Sequence, residues 1–162
     1  MKRSTLITAL ASLLAIVIVG AVVADRFGVT SSDFRLRPDD PTLLATGERI
    51  YATQCASCHG AQLEGQAEWR TRGADGLLPA PPHDASGHTW HHPDEMLFRI
   101  TKYGVASLIG DPSYRTAMPV YEQVLSDEEI IAVLSWIKAQ WPASVREKHD
   151  QMNAQAAKAS RS

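Results

Sequence analysis

The chain has little cysteine and little charge imbalance, and each shortage excludes something. Two cysteines in 162 residues cannot staple a disulfide-rich scaffold. Lys and Arg number 16 against 18 Asp and Glu, so the net charge is only −2 and no nucleic-acid-binding polycation is indicated. No internal repeat is visible, and no stretch alternates convincingly as a β-strand. What remains is an ordinary globular mixture, 44% apolar and 21% charged, which argues against a disordered, fibrous or polytopic membrane chain. Once the ends are set aside, a globular part of at most about 120 residues makes a modest core and would gain from a buried cofactor.

The two ends differ in kind from the middle. Lys2 and Arg3 precede an uncharged apolar run from Leu6 to Ala24, whose only hydroxyls are Thr8 and Ser12. A helix of that length crosses a hydrocarbon core, with the basic N-terminus on the cytoplasmic side and the rest exported. A cleaved signal peptide competes, since Val22 and Ala24 make an acceptable cleavage pattern, but the run exceeds the usual h-region length and favours an uncleaved anchor. Residues 1–24 are therefore read as anchor or signal peptide, 25–40 as a linker, 41–142 as the working domain, and 143–162 as a polar flexible tail with at most a weak helix.

Three helices are predicted inside the domain. The first starts at Asp40-Pro41, an N-cap followed by proline, and carries Leu43, Leu44, Gly47, Ile50, Tyr51 and Gln54 at helical spacing. Gly47 costs about 1 kcal/mol in a helix interior, so a close helix crossing is its expected use. The second runs from His92-Pro93 to Gly104 with Leu97, Phe98, Ile100 and Thr101 inward. The third opens on a capping box, Ser126-Asp127-Glu128-Glu129, with a Leu125–Ile130 staple. Its apolar stripe is Ile130, Val133, Leu134, Ile137 and Trp141, and Pro142 stops it. Long loops cover 60–91 and 105–124. The fold class is all-α.

Cys55-Ala56-Ser57-Cys58-His59 is a C-x-x-C-H sequence, which in an exported protein reads as a c-type haem attachment site. Two thiols must reach the two vinyl groups on one porphyrin edge, and the next residue must project its imidazole under the iron; one helical turn does both. A thioredoxin-like redox disulfide would need a βαβ pattern, which is lacking. A zinc site would need a second cysteine pair, although histidines are available. One motif implies one covalent haem c.

Candidates for the sixth iron ligand are Met96, Met118, Met152 and the histidines other than His59. Met118 sits in a loop before the last helix, with Pro119 limiting its freedom, and His/Met ligation suits electron transfer. Met96, early in the second helix, is expected to fill the core. Met152 falls in the tail.

These residues resemble the class I cytochrome c family over about 41–141. The resemblance rests on the Gly47/Tyr51 helix, Cys55-Ala56-Ser57-Cys58-His59-Gly60, Met118-Pro119, and the last helix beginning Leu125-Ser126-Asp127-Glu128-Glu129-Ile130. It implies a helical fold whose first and last helices cross near Gly47, with electron transfer as the activity; with His and Met both bound, no position is open for a substrate and catalysis is not expected. It also implies Cys55 and Cys58 as thioether anchors, His59 as proximal ligand and Met118 as distal ligand. The loop Pro79-Ala80-Pro81-Pro82-His83-Asp84 and His88-Thr89-Trp90-His91-His92 is long for the family. Pro79, or another residue of 78–82, is expected to offer a carbonyl to the His59 ring. Trp90, His83 or His88 could line the haem edge or bond a propionate, and Arg70, Arg72 and Arg99 are further propionate candidates. A copper site built from His83, His88, His91 and His92 is the alternative use of the loop. The sequence thus reads as a membrane-anchored monohaem electron carrier, held in a bacterial inner membrane by residues 6–24 with its haem domain in the periplasm. It would serve redox partner proteins of a respiratory chain. A fixed electron-entry subunit of a respiratory enzyme and a copper-handling haem protein are the alternatives.

Overall fold

A computed structural model describes residues 35–160. The anchor or signal peptide assigned to 1–24, and most of the 25–40 linker, lie outside the described residues. Among the described residues there is no strand, and no helix is long and apolar enough to cross a membrane.

Helix α1, Pro41–Ile50, begins where the sequence indicates: the Asp40 carboxylate accepts from the backbone N–H groups of Thr42 and Leu43, both at 3.1 Å. It passes into a single π-helical turn, Tyr51–Cys55, and then into the short α2, Ala56–His59, which Gly60 ends with φ of 81°. A 3-10 turn at Thr89–His91 leads to α3, Asp94–Ile109. Gly104 breaks α3 with φ 81° and ψ 159°, so the helix expected to stop there instead kinks and runs one short stretch further. Helix α4, Asp127–Ala139, carries the full capping box: Ser126 Oγ accepts from Glu129 N, and the Glu129 carboxylate accepts from Ser126 N at 2.9 Å.

The core is the crossing of α1 with α4. Leu43, Ile50 and Tyr51 on one side meet Ile130, Val133, Leu134 and Ile137 on the other, all buried. Gly47 sits at the contact, where an added Cβ would lie 2.2 Å from the Ala132 carbonyl oxygen. Tyr51 and Trp136 rings pack with centroids 4.8 Å apart.

Three expectations are corrected. Most of the segment read as a flexible tail is ordered: Ala143–Ala159 forms a 17-residue helix, α5, with His149 fully buried and Asn153 nearly so. It docks through polar groups rather than apolar ones. Asn153 Oδ1 accepts from Asp94 N at 2.8 Å, and His149 Nε2–H donates to the His92 carbonyl at 2.9 Å. Asp94 and Lys138 lie buried 3.7 Å apart beneath it, and Lys138 also bonds Asp150 at 2.6 Å. The linker ends earlier than residue 40, because Leu36 is buried and its N–H donates to Asp94 Oδ2 at 2.9 Å. Met96 is 37% exposed rather than in the core. The inward face of α3 is set by Asp94, Leu97, Thr101 and Gly104 at spacings of three and four, and position 96 falls off that face.

Candidate haem-attachment site

The turn carrying the motif is built by α1. That helix ends in the π turn, which resets the side-chain phase immediately before Ala56–His59. Tyr51, 1% exposed, reaches from the start of the π turn to its far side, where its hydroxyl donates to the Gly60 carbonyl at 2.8 Å. Burial, with smaller contributions from Cys55, Glu64 and Asp84, pushes the Tyr51 phenol up, so it stays a donor across the neutral range.

Cys55 and Cys58 are free thiols, Cys55 half-buried and Cys58 exposed. Burial, and secondly the neighbouring Cys58, pushes the Cys55 thiol up to about 11. His59 is buried, and its Nδ1 lies 2.8 Å from the Pro81 carbonyl oxygen. A carbonyl can only accept, so Nδ1 carries the proton and Nε2 keeps its lone pair. Burial lowers the His59 pKa, and the Pro81 bond partly offsets it. A neutral imidazole with Nε2 as the free base is the form that ligates iron.

The carbonyl partner is Pro81 and not Pro79. The long loop folds back on itself, with Gln66 N donating to Ala80 O and His83 N to Leu63 O, both at 2.8 Å. Gly65 permits this approach: an added Cβ there would lie 2.4 Å from Pro82 N. The return brings residues 80–83, rather than 79, alongside the motif.

The loop histidines pair off: His88 and His92 meet edge to face with ring centroids 5.3 Å apart, and the others stack on different rings. His83 stacks on His59 with ring centroids 3.9 Å apart and 24° between planes. His88 stacks on Trp69 at 5.1 Å, and His91 stacks on Trp90 at 3.7 Å. Among the described residues no group of three or more His, Cys, Asp or Glu side chains is placed to hold a metal ion. The geometry therefore does not assemble the copper site considered for His83, His88, His91 and His92, nor a zinc site. Of the candidate propionate partners, Arg70 lies over the Trp69 ring at 4.0 Å and Arg72 donates to the Gly76 carbonyl at 2.7 Å, while Arg99 is exposed.

Met118 is half-buried in the loop between α3 and α4, where its N–H donates to Thr116 Oγ1 at 3.1 Å. Three residues on, the Tyr121 hydroxyl donates to the Gln54 carbonyl at 2.8 Å. Tyr121 therefore ties the Met118 loop to the residue just before Cys55. Val120 and Val124 in that loop leave apolar side chains exposed, surface of the kind a porphyrin face would cover. Two free thiols, one oriented neutral imidazole and apolar surface in the Met118 loop fit a covalently held haem.

The motif, with Pro81 within the 78–82 window, was readable in sequence. The bracing by Tyr51, Tyr121 and Trp141, whose Nε1–H donates to the His83 carbonyl at 2.7 Å, was not. Tyr51 and Trp141 read simply as helix residues, and nothing in the sequence marks which carbonyl the polar end of any of the three will find.

Comparison with known proteins agrees with this reading. The model of a family described as "Cytochrome C oxidase, cbb3-type, subunit III" matches residues 42–137. No curated protein and no solved structure matches.

Proposed function

The chain belongs to that family, a class I c-type cytochrome family whose members transfer electrons through haem, and on this premise we propose that it is a monohaem electron carrier, tethered to a bacterial inner membrane by residues 6–24 with its haem domain in the periplasm. The single observation that carries the haem assignment is the His59–Pro81 bond on a C-x-x-C-H turn: the imidazole is oriented and held in the tautomer a metal needs. When bound, haem supplies a one-electron ferric/ferrous couple.

The residues divide the remaining work. Cys55 and Cys58 hold the group by two thioether bonds, so it cannot dissociate. His59 ligates through Nε2. Tyr51 and Tyr121 fix the ends of the motif turn against Gly60 and Gln54. Met118 is the sixth ligand. Its neutral, soft sulfur would favour the ferrous state and raise the potential, and with both ligands in place no position would be open for a substrate. His83 stacks on the His59 ring, so it would act on that imidazole and not as a ligand itself.

The family description favours one second reading. Members are named as an oxidase subunit, so the domain would receive electrons for a terminal oxidase as a fixed part of that complex instead of diffusing between partners. Solubilising membranes in mild detergent and isolating the tagged full-length chain separates the two. Stoichiometric co-purification of oxidase subunits supports the fixed subunit, and a haem protein recovered alone supports the carrier. Recovery of the mature chain as a soluble protein beginning at Asp25 would refute the anchor.

A further inference from the structure

We propose that His83 is a positioning residue that sets the plane of the axial His59 imidazole; this rests on His59 being an iron ligand. The Pro81 carbonyl fixes one point of the ring, Nδ1, at 2.8 Å. A single hydrogen bond leaves the ring free to rock about the line joining its Cβ attachment to that bond. The His83 ring closes one side of this motion, face to face at 3.9 Å with a 24° tilt.

His83 can act as a wall because it is itself held at four points. Its N–H donates to the Leu63 carbonyl at 2.8 Å, and its own carbonyl accepts from Trp141 Nε1 at 2.7 Å. Its Nδ1 lies 2.9 Å from the hydroxyl of buried Thr89. The Tyr51 ring meets it edge-on with centroids 6.2 Å apart. The Thr89 bond attaches the ring to the 3-10 turn, and the Trp141 bond holds the His83 backbone to the segment that follows α4, so the setting of His59 is referred to groups outside its own loop. Outer partners of a metal-bound imidazole govern its orientation in this way. The plane of an axial imidazole governs the rhombic splitting of low-spin ferric iron, which gives the idea a readout that simple loss of stability does not move.

The test is the electron paramagnetic resonance spectrum and midpoint potential of the oxidised full-length protein, compared among the parent, His83→Ala, His83→Phe and Thr89→Val. His83→Ala should shift and broaden the largest g feature and move the potential, because the His59 ring gains a range of settings. His83→Phe keeps a flat ring in the stack and should restore the parental line. Thr89→Val, close in size and lacking the hydroxyl, should broaden the line less than His83→Ala. An unshifted, equally sharp line in His83→Ala would overturn the proposal, and His83→Phe behaving like His83→Ala would overturn stacking as its cause. Should His83→Ala fail to mature, Thr89→Val decides: a broadened line supports the proposal and a parental line overturns it. A parent chain without covalent haem would refute the function proposed above and this inference with it. A low-spin parent with unmoved variants would refute this inference alone.

Discussion

Replacing Gly47 with alanine is the sharpest mechanical perturbation of the fold, because two effects of known sign oppose each other there. In an isolated helix the change would stabilise by about 1 kcal/mol, since alanine loses less backbone freedom than glycine. In this protein the new Cβ would stand 2.2 Å from the Ala132 oxygen and 2.7 Å from both the Ala132 carbonyl carbon and Trp136 Cβ. Two of these neighbours are backbone atoms, so no side-chain rotation relieves the clash. Restoring ordinary contact near 3.4 Å requires α1 and α4 to separate locally by about 1.2 Å. Overpacking a well-filled contact costs about 1–3 kcal/mol, and the lack of a rotamer escape places Gly47 at the upper end. The net expectation is destabilisation by about 2 kcal/mol, roughly a thirtyfold loss in the folded-to-unfolded ratio. Urea unfolding of a chain beginning at Arg35, followed by far-UV circular dichroism, reads this directly. Gly110→Ala is the control. That residue has φ of +67° but nothing within 4 Å of an added Cβ, so its cost is conformational alone, about 1 kcal/mol. A Gly47→Ala protein as stable as its parent, or more stable, would refute the close crossing.

Three further perturbations test the rest of the frame. Tyr51→Phe removes the donor to the Gly60 carbonyl and should lower stability by about 1–2 kcal/mol in the same urea assay, without preventing haem attachment. Ending the chain after Pro142 should lower stability by about 2 kcal/mol or more, because it uncovers Trp141 and the buried Asp94–Lys138 pair, whereas an unchanged midpoint would mean that α5 contributes nothing. His149 gives a pH dependence. Burial and then Lys138 push its pKa below the usual histidine value, against the opposing pull of Asp94, the His92 carbonyl and Asp150. The unfolded chain therefore takes up a proton near pH 6.5 that the folded chain refuses. Stability from His149 is complete above that pH and is lost as pH falls below it, by up to about 1.4 kcal/mol per pH unit until the folded pKa is reached. Urea midpoints of His149→Gln at about pH 7.5 and about pH 5.5 should differ less than those of the parent, and equal differences would refute the assignment.

Local chemistry made the central part of the fold legible. Asp40-Pro41 and the Ser126–Glu129 box are capping signals whose partners lie within three residues, and both appear as read. Gly47 signalled a crossing because glycine has no other good reason to sit in a helix interior. The C-x-x-C-H motif carries its chemistry within five residues. What was not legible depends on distant partners. Helix α5 has little apolar surface, so hydrophobic patterning gave it no role. It is fixed by Asn153 and His149 to groups 59 and 57 positions away, respectively. Pro81 was one of several carbonyls in a proline-rich window, and the choice was made by backbone pairing of residues 63–66 with 80–84. Met96 looked like core because it is apolar and helical, but the register of α3 is set by Asp94 and Leu97.

Whether Cys55 and Cys58 carry haem is read most directly from the intact mass of the purified chain after acid–acetone extraction, which removes haem that is not covalently bound. The parent should retain the mass of one haem per chain, and the variant with both Cys55→Ala and Cys58→Ala should retain none. A parent that extracts to the mass of the bare polypeptide, or a double variant that keeps its haem, would contradict the assignment of this turn as a haem-attachment site.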